Sequence, residues 1–368
     1  MSTNNDQIKQ RNLNRYNMLC DIFYNGPKRR TQIAEKLSIR KSSITSIAEE
    51  LIRQNWLTNI DTAHPRSPLC FNKKKCCLAL SHETTKLRAG LYTLDGKLFK
   101  TSKVSLHKNM TYDDFLYETN LLCSQILHKS KSKALMVGIA LPGIIDSTNN
   151  NVLHSASAPQ LSHKNLGDDL SHILKLPCLI ENDVRASLMG ALWFEPKWHN
   201  LQNAIYIDIT EGVSTALLVN GTLHKGFNNA AGEIGHIKAG DQNRKCHCGK
   251  IDCLETYISI PALAKTVELN GFFSIDELIQ KLQPQQLENG LNSLANILRP
   301  LIAAIDPEII LLGNQEPNFY KLCMPILKKL LKTNINLEIV SDSNSSALTG
   351  IASKILNAIF ANTHQLLH

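Results

Sequence analysis

From Glu233 to Glu255 the chain reads Glu-Ile-Gly-His-Ile-Lys-Ala-Gly-Asp-Gln-Asn-Arg-Lys-Cys-His-Cys-Gly-Lys-Ile-Asp-Cys-Leu-Glu. A histidine followed by Cys-x-Cys-x4-Cys constrains the fold more than any other feature. Three thiolates and one imidazole complete a tetrahedral set, and a set with no open position is that of a structural zinc, because a catalytic zinc keeps one place for water. The segment must therefore close on itself as a stapled loop. Two carboxylates that zinc does not need, Glu233 and Glu255, flank the set. A metal that staples a loop beside carboxylates points to a loop built to hold a polar ligand.

Ten cysteines raise the question of disulfides. Three of them stand at metal spacing, and Met1–Gln10 is polar with no apolar signal core, so a reducing cytoplasm is expected. The other seven, Cys20, Cys70, Cys76, Cys77, Cys123, Cys178 and Cys323, are expected as ordinary free thiols. No apolar run approaches the roughly 18 residues of a membrane span. A chain of 368 residues, 43% apolar and 20% charged, has room for two or three globular domains.

Charge is segregated along the chain. Residues 1–75 carry 14 Lys and Arg against 6 Asp and Glu, which accounts for the entire formal excess of +8. A basic segment on a neutral body points to a polyanion, most often nucleic acid. Apolar spacing predicts helices near Ile8–Tyr24, Thr31–Leu37 and Lys41–Gln54, with Asn25-Gly26-Pro27 as a stop and Ser38-Ile39-Arg40 as a tight turn. Two short helices joined this way make a helix-turn-helix, and the second is the recognition helix. Its exposed N-terminal side is Arg40, Lys41, Ser42, Ser43, Thr45 and Ser46, cations and short hydroxyls suited to phosphates and base edges. Thr58–Asn72 is expected to form two short strands of a wing, with Arg66 at its tip able to enter a minor groove. Residues 1–75 thus read as a winged helix-turn-helix that binds double-stranded operator DNA.

From Cys77 onward strands and helices alternate, the pattern of a layered α/β body. Strands are expected near 78–81, 87–93, 98–106, 134–141, 178–180, 204–210, 213–219 and 308–312, with helices at 112–128, 184–193 and through much of 260–305. Acidic residues and glycines gather at strand ends, where such sheets bind ligands.

Several of these motifs together are similar to a known family. Leu-Pro-Gly-Ile-Ile-Asp (141–146), Glu-Asn-Asp (181–183), Ala-Gly-Glu-Ile-Gly-His (231–236), the cysteine motif through Glu255, Asp-Pro-Glu-Ile-Ile-Leu-Leu-Gly (306–313) and the Ala347–Leu356 helix with Gly350 give residues 77–368 a resemblance to the ROK family (repressors, open reading frames and sugar kinases). The cysteine motif is highly specific, and the others are weak one by one. The resemblance implies an actin-like, sugar-kinase-like body of two lobes, here 76–190 plus 347–368 and 191–346, the second bearing the zinc site and an oligomerisation surface. It implies zinc ligands His236, Cys246, Cys248 and Cys253. His247 is the rival nitrogen; lying between two ligating cysteines, its side chain is expected to point away from the metal they share. It implies sugar ligands Asn182, Asp183, Glu233, His236 and Glu255, with Gly143 and the Ser155–Pro159 loop as further lining. These are groups that can donate to and accept from a ring of hydroxyls, and the metal would fix the orientation of His236. One departure is Asp252, where the family usually carries Gly; Asp tolerates the left-handed backbone better than most residues.

In the family's kinases the position of Asp183 is the general base, and glycine turns cradle the ATP phosphates. Those turns are altered here. Asp-x-Gly-Gly-Thr is matched by Ser81-His82-Glu83-Thr84-Thr85, and Gly-Thr-Gly-x-Gly by Ile209-Thr210-Glu211-Gly212-Val213-Ser214-Thr215. Two carboxylates facing a nucleotide would each oppose its phosphates by about 1 kcal/mol or more. With the head, the whole resembles the repressor branch, similar to N-acetylglucosamine and xylose repressors. The expectation is a sugar-responsive repressor of carbohydrate genes, a non-enzyme that takes a sugar or sugar phosphate and acts as a homodimer or homotetramer. The alternatives are an ATP-dependent hexose or N-acetylhexosamine kinase and a repressor controlled by a phosphotransferase protein.

Overall fold

The structure, a computed structural model, describes residues 2–83, 85–107, 109–128, 130–271, 273–313, 316–332, 334–340 and 346–363. The head comprises α1 (Ser2–Asn25), α2 (Arg30–Lys36), α3 (Lys41–Arg53), β1 (Leu57–Asn59) and β2 (Leu69–Phe71). Ile33, Ala34, Ile44, Ile47, Ala48 and Leu51 recur at helical spacing and are all buried, so α2 and α3 pack together across the turn. β1 and β2 pair antiparallel as the wing, and Lys28 adds a bridge to Leu69 that residue spacing did not reveal.

The body follows as β3 (Lys75–Glu83), β4 (Lys86–Thr93), β5 (Leu98–Ser105), α4 (Tyr112–His128), β6 (Lys133–Leu141), β7 (Ile144–Asp146), β8 (Asn151–His154), α5 (Leu166–Leu174), β9 (Cys178–Asn182) and α6 (Asp183–Phe194). Then come β10 (Ala204–Ile209), β11 (Val213–Val219), β12 (Thr222–His224), α7 (Glu255–Ile258), α8 (Ile260–Thr266), α9 (Ile275–Lys281), α10 (Pro284–Ile305), β13 (Ile309–Leu312), α11 (Pro317–Leu331), β14 (Asn336–Ile339) and α12 (Ala347–Ala361). Of these, β7, β8, β14, α5, α7 and α11 have no counterpart among the elements expected from the sequence; the strands are only three or four residues long, too short for a period to show.

The two main sheets share one plan. Their strand orders are β5-β4-β3-β6-β9 and β12-β11-β10-β13-β14. In each, three antiparallel strands are followed by two that run parallel to the central one. The turns β3–β4 and β10–β11 therefore occupy equivalent places in the two halves. Those turns carry the two stretches, 81–85 and 209–215, that the sequence sets beside the kinases' phosphate motifs, except that Thr84 lies outside the described residues.

Two helices join the halves. α12 packs on the first sheet through Ile351, Ile355 and Leu348, beside Cys77, Ala79 and Met136. α6 packs on the second through Val184, Leu188 and Ala191, against Tyr206, Ala216 and Leu311. They cross so closely that a Cβ on Gly350 would collide with the Ala186 carbonyl, which is why a glycine stands there. The head is continuous with this core. Met18, Leu19, Trp56 and Leu69 share one buried cluster with Ile351, Ile359 and Phe360 of α12. Tyr16 donates its hydroxyl hydrogen to Asn357 Oδ1 at 2.9 Å, and Phe71 stacks on Phe360 with centroids 5.4 Å apart.

Candidate functional site

The stapled loop brings its four donors together. His236 Nδ1 lies 3.6 Å from Cys246 Sγ, Cys246 Sγ 3.2 Å from Cys248 Sγ, and Cys248 Sγ 3.7 Å from Cys253 Sγ. All four donor atoms fall within 4.8 Å of one another. A tetrahedral zinc with Zn–S of about 2.3 Å and Zn–N of about 2.0–2.1 Å has donor–donor edges of about 3.6–3.8 Å. The donor set and its spacing thus fit that ion.

His247 lies at the same site, where with His236 and Glu255 it forms a second group whose ligand atoms fall within 4.8 Å of one another. Its Nδ1 lies 2.7 Å from Glu255 Oε1, and its ring centroid is 5.3 Å from that of His236. The rival ligand is thereby a partner of a sugar candidate, a role that its place between two cysteines did not reveal. Glu255, the first residue of α7, is buried, and its Oε1 also accepts from the Cys246 thiol at 2.8 Å.

The motif Ala-Gly-Glu-Ile-Gly-His lies flat along β11. A Cβ on Gly232 (φ +95°) would collide with the Thr215 carbonyl, and one on Gly235 with that of Val213. The Thr215 N–H donates to the Gly232 carbonyl at 3.1 Å. The two glycines let the loop press on the strand, which delivers Glu233 and His236 to one end of the second sheet.

Asn182 and Asp183 come from the other half, at the junction of β9 with α6. Asn182 caps α6: its Oδ1 accepts from the Arg185 N–H at 2.9 Å, and its Nδ2 donates to the Gly143 carbonyl at 3.1 Å. Gly143 (φ +122°) has no room for a Cβ beside the His154 carbonyl, so that carbonyl cradle requires glycine. The Ser155 hydroxyl donates to the Pro142 carbonyl at 2.9 Å, which ties the 155–159 loop to the same corner.

Electrostatics show that the carboxylates share one region. Burial pushes Asp183 up to about 6. Burial, then the neighbouring Asp183, and less strongly Glu255, raise Glu233. Asp208 at the end of β10, which sequence reasoning passed over inside an apolar strand, is pushed up to about 7 by burial and then by Asp183. Tyr320 donates to its Oδ1 at 3.2 Å. The pH dependence follows. The folded protein holds the Asp208 proton more tightly than an unfolded chain with the ordinary value of 3.8, so stability declines as pH rises from about 4 to about 7 and levels off above. Asp208→Asn cannot ionise, and its stability advantage over the parent should widen through that window in urea unfolding measured at pH 5, 6, 7 and 8.

At the β3–β4 turn Glu83 Oε1 lies 3.4 Å from Arg88 Nη1, which offsets part of its charge. At the β10–β11 turn Glu211 is exposed, and a Cβ on Gly212 would lie 3.2 Å from Glu255 Oε2. The second turn is thus in touch with the sugar candidates.

In the head, Arg40, Lys41 and Ser42 are exposed at the start of α3, and Ser43 and Thr45 are partly covered. Thr45 donates to the Lys41 carbonyl at 2.9 Å. Ser46 Oγ accepts from Arg11 of α1 at 3.3 Å, and Glu50 holds both Arg11 (2.7 Å) and Arg15 (2.9 Å). Arg66 is exposed at the wing tip. Arg30 pins that tip, donating from Nη1 to the Pro65 carbonyl at 2.7 Å and to Asn59 Oδ1 at 3.3 Å. If the wing enters DNA, Arg66→Ala should lower the slope of log affinity against log salt by about one, the signature of a lost phosphate contact. Arg30→Ala should weaken binding about tenfold with a smaller change of slope, because it loosens the wing without itself leaving the DNA. Affinity titrations at four salt concentrations separate the two.

The profile of the ROK family matches residues 77–353. The xylose repressor of Caldicellulosiruptor bescii is 21% identical over 398 residues, an alignment that covers 96% of this chain and 97% of the relative. Among solved structures, a ROK family transcriptional regulator, a homolog of the Escherichia coli MLC protein, superposes with a TM-score of 0.79 at 20% identity, covering 97% of this chain and 99% of its own. A ROK family glucokinase from Streptomyces griseus, solved with glucose and AMPPNP, superposes with a TM-score of 0.62 at 20% identity and covers 76% of this chain and 98% of its own.

Proposed function

The chain belongs to the ROK family, and from that membership we propose that it is a sugar-responsive DNA-binding transcriptional regulator, a repressor of carbohydrate genes. One observation carries the reading: the head and the candidate sugar site are joined by continuous packing. α1 and β2 pack on α12, α12 crosses α6, and α6 begins at Asp183 beside its cap Asn182. A sugar that draws the halves together would move α6 against α12 and so tilt the head. In a homodimer or homotetramer such a tilt changes the spacing of two recognition helices, and operator affinity changes with it.

Asn182, Asp183, Glu233, His236 and Glu255 are the groups assigned to the sugar or sugar phosphate. Zinc would be held by His236, Cys246, Cys248 and Cys253, where it supplies a fixed loop geometry and an oriented imidazole. DNA is assigned to Arg40, Lys41, Ser42, Ser43, Thr45, Ser46 and Arg66, with Ser46 already engaged by Arg11.

The test begins with selection of a binding duplex from random DNA. Affinity for that duplex is then measured with D-xylose, D-glucose, N-acetylglucosamine and the 6-phosphates of the last two. At least one should change affinity tenfold or more, a coupling of about 1.4 kcal/mol, and Asp183→Asn should abolish the change. Failure of every sugar would remove the sensor half of the reading. The kinase reading is favoured by the likeness of the body to glucokinase. ATP-dependent phosphorylation of any of these sugars, lost in Asp183→Asn, would establish it and overturn a purely regulatory role.

A further inference from the structure

We propose that Asp252 is a positioning residue that holds the zinc loop, and with it the start of α7 at Glu255, independently of the metal. The residue lies in the left-handed region at φ 56° and is only 1% exposed. Glycine would suit that backbone better, so the side chain must contribute something that offsets the strain.

Its contacts show what. Oδ1 accepts from the backbone N–H of Gln242 at 3.1 Å and of Arg244 at 3.0 Å, and from the Tyr257 hydroxyl at 2.6 Å. Oδ2 accepts from the Asn243 N–H at 3.1 Å. The backbone of Asp252 completes the joint, donating to the Arg244 carbonyl and accepting from the Ala239 N–H, both at 2.7 Å.

The arm 242–244 is fastened a second time. The Arg244 guanidinium lies 4.3 Å from the Tyr257 ring centroid, and its Nη1 donates to the Thr256 carbonyl at 2.7 Å. Thr256 and Tyr257 follow directly on Glu255 in α7. One loop therefore has two clamps. The donors of His236, Cys246, Cys248 and Cys253 form one, and Asp252 with Arg244 and Tyr257 forms the other. The second clamp contains no metal ligand.

The inference depends on the zinc reading only for metal-loaded samples. The test is hydrogen exchange of peptides spanning 237–257 in full-length protein, zinc-loaded and chelator-stripped, with zinc content measured for each sample. The amides of Gln242, Asn243 and Arg244 are the donors to Asp252 and report the clamp directly. Stripped wild type should keep their protection within about threefold of the loaded protein, whereas stripped Asp252→Gly should lose at least about tenfold. Loaded Asp252→Gly should stay near loaded wild type, which shows that the variant folds. Asp252→Asn should fall between, because its amide presents a donor where Asn243 needs an acceptor. If Asp252→Gly cannot be obtained folded, Tyr257→Phe, which removes one hydroxyl, should show a smaller loss of the same kind when stripped. Stripped wild type exchanging as fast as stripped Asp252→Gly or Tyr257→Phe would overturn the proposal. A protein that takes up no zinc would overturn the metal reading and leave the stripped comparison to decide the role of Asp252.

Discussion

Glu181→Ala is expected to lower the unfolding free energy by about 3–5 kcal/mol, because it strands two cations in the interior. Glu181 is 1% exposed, and its Oε1 lies 2.8 Å from Nε of Arg185, itself 3% exposed. Its Oε2 lies 2.9 Å from Lys354 Nζ. Arg185 donates further to the carbonyls of Ile145 at 2.7 Å and Asn229 at 3.1 Å, so β9, α6, α12 and the loop before Glu233 meet at one carboxylate. Removing it leaves Arg185 with two carbonyls and, among the described residues, no carboxylate at ion-pair distance.

The sign of the pH effect follows from the same contacts. Burial alone would raise the Glu181 carboxyl, but Lys354 and Arg185 outweigh burial and hold it below its ordinary value of 4.5. Its contribution is thus complete above that pH and is lost as pH falls through the lower folded value. Urea unfolding at pH 7 and at pH 4 should show the gap between Glu181→Gln and the parent shrinking at the acid end. A gap of less than about 1 kcal/mol at pH 7, the size of an exposed ion pair, would mean that the network does not join these elements.

Phe360→Ala is the second large effect, expected to cost about 3–5 kcal/mol as a truncated buried aromatic. The ring is 1% exposed and takes three aromatic neighbours: Phe71 of the wing at 5.4 Å, Phe23 of α1 at 5.9 Å and Trp193 of α6 at 6.3 Å. The cavity opens where the head meets the body. The loss should therefore appear as an early unfolding transition of residues 1–75, seen as faster hydrogen exchange there, while protection of β10 and β13 is unchanged. Operator affinity should fall, and the tenfold response to sugar should fall with it. Unfolding in a single transition with the response intact would show that the head is not coupled through this contact.

The sequence reading was most complete where partners lie close along the chain. Cys246, Cys248 and Cys253 are bound to approach one another by their spacing, and the turn between α2 and α3 is defined within three residues. Asp252 was legible as an anomaly at a glycine position, and its left-handed backbone accords with that, but its four acceptor contacts were not. Spacing marks His247 as a rival ligand and says nothing of its contact with Glu255. Asp208 sits in an apolar strand where a single carboxylate has no pattern around it.

Local spacing thus carried the head, the stapled loop and the alternation of strands and helices, because each rests on residues within a few turns of one another. Packing alone settled how those parts are joined. Lys354 reaches Glu181 from 173 positions away, Tyr16 reaches Asn357 across 341, and α6 seats on the second sheet while its first residues face the corner made by the first. No periodicity encodes such pairs. They exist because two apolar faces bury each other and carry their polar neighbours along, and the cost of leaving a buried charge unpaired then selects the partner.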